Sequence, residues 1–176
     1  MALDRLSAAW REQYVQDATA SERIGSEVEC VFCDLLPDGV SESSGIIMVT
    51  PFSFSIVNAF PYGSGHVLVL PRRHIQSLEE LSEEEAVDYF ALLRRTVVLL
   101  KETYGPDGLN VGFNLGRAAG AGIPQHLHGH IVPRWNGDTN FMTTLGETRV
   151  LPESLASSWS KILAAVKRSS LVPGAN

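Results

Sequence analysis

HLHGHIVPR, residues 126–134, alternates histidine with small or apolar residues and runs into a proline. On an extended chain successive side chains point to opposite faces, so His126, His128 and His130 share one face at spacings of about 6.6 Å, while Leu127 and Gly129 share the other. Three of the chain's five histidines fall in this tract, the others being His66 and His74. Pro133 cannot donate to a sheet ladder, which places the tract near a strand end, where sheets often carry chemistry. A plain polar face and an incidental metal-binding tract are the alternatives that the residues alone leave open.

Working outward, four more segments read as strands: IIMVT at 46–50, FSIVNAF at 54–60, HVLVL at 66–70 and LNVGFNL at 109–115. The turn PYGSG joins the second to the third as a tight reversal. Residues 82–105 read as a long helix. Ser82 and Glu85 stand in capping-box spacing at its start, Gly105-Pro106 stops it, and Ala86, Phe90, Leu93, Val97 and Leu100 form its apolar face. Leu155, Trp159, Ile162, Leu163 and Val166 lie at helical spacing in a C-terminal helix. Short links between the early strands leave no room for helical crossovers, so the expected class is α+β, a mainly antiparallel sheet of about five strands with one long helix and a C-terminal helix.

The whole chain, 176 residues, suits a single domain over 1–176, with an N-terminal extension at 1–28 and a C-terminal helix and tail at 150–176. Hydrophobic residues at 44% and charged residues at 19% describe a chain that can bury a core without disulfides. No apolar run approaches the roughly 18 residues of a membrane span, and the first residues lack a signal-peptide core. A cytoplasmic location with no membrane partner is therefore expected. A net charge of −6 disfavours a broad nucleic-acid footprint, so an anionic ligand needs a local cradle.

GRAAGAG, residues 116–122, offers such a cradle, because glycines let the backbone approach a ligand and present N–H groups to phosphate oxygens. It is no P-loop, since no Lys-Ser/Thr pair follows. Arg117 is the one cation in the loop and reads equally as a phosphate contact or a solvated arginine. Cys30 and Cys33 form a single C-x-x-C, open to three readings: a redox pair, half of a zinc site, or two buried thiols. The redox reading wants a strand-to-helix context that CVFCDLL does not supply. Trp10 and Tyr14 sit at the spacing of a packed N-terminal helix, and Phe32, Phe54 and Ile56 are candidates either for a base pocket or for the core.

HLHGHIV resembles the His-φ-His-φ-His-φ-φ pattern of the histidine triad superfamily, with Gly129 at one φ position. WREQYV at 10–15, CVFC at 30–33, NAFPYGSGHVLVLPRRH at 58–74, GFNLGRAAGAGI at 112–123 and the tract at 126–142 are similar to its bacterial diadenosine-polyphosphate phosphorylase or hydrolase branch. The resemblance implies a nucleotidyl hydrolase or transferase, a homodimer with a continuous sheet, and a nucleotide substrate accompanied by a divalent cation. It implies that His128 attacks the α-phosphate to form a nucleotidyl-histidine. His130 then binds phosphate and protonates the leaving group, with His126 completing the triad. Asn58 takes the position that meets the ribose, and Asn114 a phosphate-contacting position usually held by Gln. Where relatives place Gln and Thr before the triad, this chain has Gly122 and Ile123, leaving backbone N–H groups from Gly120 to Ile123 to bind phosphate. The resemblance also implies a structural zinc site of Cys30, Cys33, His74 and His126. In that branch the segment around Trp135 caps the nucleotide site. Alternative readings are hydrolysis of an adenosine phosphoramidate or adenylylated small molecule, and a nucleotide-binding module without catalysis.

Overall fold

The computed structural model describes residues 30–138 and 153–169, so Trp10, Tyr14 and the rest of the expected N-terminal extension lie outside the described residues. Helix α1 (Val31–Leu35) precedes β1 (Ile46–Val49), β2 (Ser53–Val57) and β3 (Val67–Pro71). The long helix α2 (Glu83–Tyr104), β4 (Gly108–Phe113), β5 (Gly129–Arg134) and α3 (Leu155–Arg168) follow. The strands form one antiparallel sheet in the order β1-β2-β3-β5-β4, so the strand that carries His130 is inserted between β3 and β4. This is the α+β class that the short connections imply.

Both faces of the sheet are covered, which is why β2 and β3 are buried along their whole length. On one face Val57, Val67, Val69 and Ile131 pack against Tyr89, Leu92 and Leu99 of α2 and Ile162 of α3. On the other face Phe54, Ile56, Leu68 and Leu70 pack against Cys30 and Phe32 of α1. The period-2 alternation along each strand assigns its residues to the two layers.

Helix α2 begins where its cap demands: Ser82 accepts from the Glu85 N–H, the Glu85 carboxylate accepts from the Ser82 N–H, and Gly105 ends the helix in the left-handed region at φ 54°. Its buried face differs from the apolar face expected. Glu85, Tyr89, Leu92, Thr96, Leu99 and Leu100 face the sheet, whereas Phe90 is half exposed. The polar residues of that face each have a partner. Glu85 pairs with Arg73, Tyr89 donates to the Val69 carbonyl, and Thr96 donates to Leu92. Leu100 belongs to both faces, and Leu93 and Val97 pack half-buried against the core, so counting only apolar residues rotated the helix part-way, with Phe90 falling on the outer edge.

Candidate active site and metal centre

Strand β5 starts at Gly129, later than the strand expected at 126–132. The Leu127 N–H pairs with the Ile75 carbonyl, 2.6 Å away, and this holds His126 to His128 out of the sheet ladder. The three histidines consequently do not act as one row. His128 and His130 stand side by side with ring centroids 5.0 Å apart, while His126 turns to the thiols.

Carbonyl oxygens only accept, and this fixes two tautomers. His128 Nδ1 lies 2.7 Å from the His126 carbonyl, so Nδ1 carries the proton and Nε2 the lone pair. His126 Nε2 lies 3.0 Å from the Pro71 carbonyl, so its lone pair is on Nδ1. A third tautomer follows from a backbone donor. The Tyr62 N–H donates to His66 Nδ1 at 3.0 Å, leaving the His66 proton on Nε2, which donates to His130 Nδ1 at 3.0 Å. His130 therefore carries its own proton on Nε2. Asn114 Nδ2 lies 3.4 Å from that atom, and since both groups are donors in this orientation, Asn114 can accept from Nε2–H only with its amide turned over to present Oδ1. Asn58 bonds His66 Nδ1 at 3.2 Å and accepts from the Phe60 N–H. Burial holds all three triad imidazoles below their ordinary range, His126 and His130 to about 4, which favours the neutral ring at pH 7.

His66 is fully buried, and sequence reasoning assigned it no role. Its contact with His130 depends on the β3–β5 register, which pairs Leu68 with His130 and so makes the histidines diagonal neighbours on one face. The only signal in the sequence was a histidine opening an otherwise apolar strand.

The remaining expected residues divide. Asn58 and Ile123 line a cavity of about 330 Å³, together with Phe32, Ile56 and Leu68. Phe32 also reaches the triad, its ring 5.6 Å from that of His126 and 5.8 Å from that of His128. Phe54 is instead wholly core. Arg117 opens a single 3-10 turn, Arg117–Ala119, which Gly120 closes in the left-handed region at φ 92°, and Gly122 and Ile123 continue from it toward His126. Trp135 packs edge-on against Tyr104.

The cysteine quartet is assembled. Cys33 sits in α1 and Cys30 caps it, with Sγ atoms 3.3 Å (Cys30) and 3.6 Å (Cys33) from His126 Nδ1, and Cys33 Sγ is 3.4 Å from His74 Nδ1. All four ligand atoms lie within 4.8 Å of one another. Zn–N bonds near 2.0 Å and Zn–S bonds near 2.3 Å at tetrahedral angles put neighbouring N and S atoms about 3.5 Å apart, so the donor set fits zinc. The His126 tautomer fits too, its Nδ1 lone pair facing the sulfurs while Nε2–H is held by a carbonyl, the usual support of a metal-bound histidine. Without the ion, desolvation and the neighbouring Cys30 push the Cys33 thiol up to about 11, and binding must displace that proton. Four protein ligands complete the tetrahedron, so the ion would hold α1 to the triad segment and take no part in the reaction.

Known proteins are similar to this chain in sequence and in fold. The HIT domain family model matches residues 41–137. An AP-4-A phosphorylase of Mycobacterium tuberculosis is 31% identical over 167 residues, covering 90% of this chain and 86% of that protein. A bis(5'-nucleosyl)-tetraphosphatase (asymmetrical) of Schizosaccharomyces pombe is 34% identical over 95 residues, covering 54% of this chain and 52% of that protein. Among solved structures, a zinc-bound histidine triad family protein from Mycobacterium smegmatis superposes with a TM-score of 0.63 at 28% identity, covering 81% of this chain and 96% of that one.

Proposed function

This chain belongs to the HIT domain family, and from that premise we propose that it is an enzyme that cleaves dinucleoside polyphosphates, diadenosine tetraphosphate first among them, through a nucleotidyl-His128 intermediate. The observation that carries the reading is the opposed pair of tautomers. His128 presents a lone pair at Nε2, and its neighbour His130 presents a proton at Nε2.

In the first step His128 Nε2 attacks the α-phosphorus as the bond to the bridging oxygen breaks. The electron pair leaves on that oxygen, where His130 Nε2–H donates a hydrogen bond. A nucleoside polyphosphate is a weakly basic leaving group, so a neutral imidazole suffices there, a milder role than the protonation that the family resemblance implies. Attack leaves the His128 ring cationic, and the Nδ1–H bond to the His126 carbonyl strengthens as that charge develops. Inorganic phosphate or water then displaces the histidine. The name of the mycobacterial relative favours phosphate. A divalent cation enters with the polyphosphate. Asn58 takes the ribose, and Arg117 with the backbone of Gly120 to Ile123 takes phosphate oxygens.

We read the assembly as a homodimer joined through β4. Among the described residues β4 is an edge strand, and Val87, Phe90 and Val98 stand exposed along α2 beside exposed Val111 of β4. Incubation with diadenosine tetraphosphate and magnesium in buffers with and without phosphate tests the activity. ATP and ADP only with phosphate indicates a phosphorylase, and ATP and AMP in both buffers a hydrolase. No product in either refutes the reading. The H128N variant should bind nucleotide and turn nothing over.

A further inference from the structure

The cavity beside the triad is lined in part by residues outside the family match, which covers 41–137: Val31, Phe32 and Leu35 of α1 before it, and Leu155, Ala156 and Trp159 of α3 after it, together with Ile56 and Asn58 from within it. Helix α3 is fixed in place from behind. Ile162, Ala165 and Val166 are buried in the main core, and the Trp159 indole N–H donates to the Ile46 carbonyl at 3.0 Å. In front of that anchor Leu155 stays 42% exposed and Ala156 is exposed, so two apolar side chains are held open beside the cavity.

Resting on the function proposed above, we propose that Leu155, Ala156 and Trp159 form a specificity wall for the base of the bound nucleoside, selecting a purine over a pyrimidine. A volume of about 330 Å³ is at the small end of ligand cavities and suits one nucleoside. The indole N–H is spent on Ile46, so the wall offers area and no side-chain donor. An apolar wall of that kind discriminates by how much of it the ligand covers. A bicyclic base has more apolar area to lay against Leu155 and Trp159 than a single ring has. Apolar differences of this size are worth about 10- to 100-fold in kcat/KM. The chemistry at His128 is untouched by the wall, so its effect is confined to binding.

The test compares L155A, A156L and a control on an exposed α3 position outside the cavity, S160L, each checked for wild-type melting behaviour, on diadenosine and diuridine tetraphosphates. Wild type should prefer the adenine substrate. L155A should lower that preference several-fold, and A156L should raise KM for the adenine substrate about tenfold or more with kcat retained, while S160L changes neither. Unchanged KM and unchanged preference in L155A and A156L, with wild type active, overturns the wall and leaves the proposed activity standing. Failure of wild type to bind or cleave either dinucleotide overturns both.

Discussion

Replacing Gly129 by alanine probes the packing behind the histidines. A Cβ there would lie 2.7 Å from the Tyr89 hydroxyl and 2.9 Å from Phe113 Cε1. Tyr89 cannot yield cheaply, since it is fully buried and its hydroxyl donates to the Val69 carbonyl at 2.7 Å. Overpacking of this kind costs about 1–3 kcal/mol. For a chain of this size that lowers Tm by about 2–12 °C. The added methyl and the Tyr89 hydroxyl compete for one space, so G129A should cost about 1 kcal/mol less in a Y89F background, the Phe113 contact remaining. Urea denaturation of the four proteins of the cycle measures this. G129A melting with wild type, or costing the same whether residue 89 is Tyr or Phe, would refute the reasoning.

In H66N the partner that fixes the His130 tautomer is lost, and kcat should fall about 10- to 100-fold, the size of loss typical when an orienting partner is removed, with KM held within a few-fold; equal kcat would show that His130 needs no such orientation. Protein purified without chelator should carry about one zinc per chain by elemental analysis, and C33S well under half, with a lower Tm. In sedimentation, F90E should shift the protein from dimer to monomer, because the substitution sets a charge in the apolar strip between α2 and β4; an unchanged dimer would place the interface elsewhere.

The long helix and its caps were legible from Ser82, Glu85 and Gly105, because capping is local chemistry. The rotation of that helix was not, because what sits on its buried side includes a glutamate, a tyrosine and a threonine whose partners, Arg73 and the Val69 and Leu92 carbonyls, exist only after folding. Helix α1 escaped notice since five residues show no helical period. The start of β5 moved because one long-range bond, Leu127 to Ile75, outcompetes strand propensity. Within the site, the identities of His128, His130 and the cysteine quartet followed from motif and resemblance. The tautomers of the histidine rings did not, since they rest on which carbonyl or amide each ring meets. His66 needed the sheet register as well. Gly129 departs from the triad pattern for a visible reason, the Tyr89 and Phe113 rings that occupy the space of its side chain.

The quartet around Cys33 also has a consequence for the unfolded chain. Cys30 and His126 are 96 positions apart, so one bound ion ties a loop of more than half the molecule. In the chain-entropy picture a cross-link over about 100 residues removes about 4.7 kcal/mol of freedom from the denatured ensemble, the scale expected of a long-loop disulfide. Where cysteines stay reduced, a metal tether of this kind supplies the same topological restraint without an oxidant. It also holds the segment of His126 to His128 to helix α1, far from it along the chain.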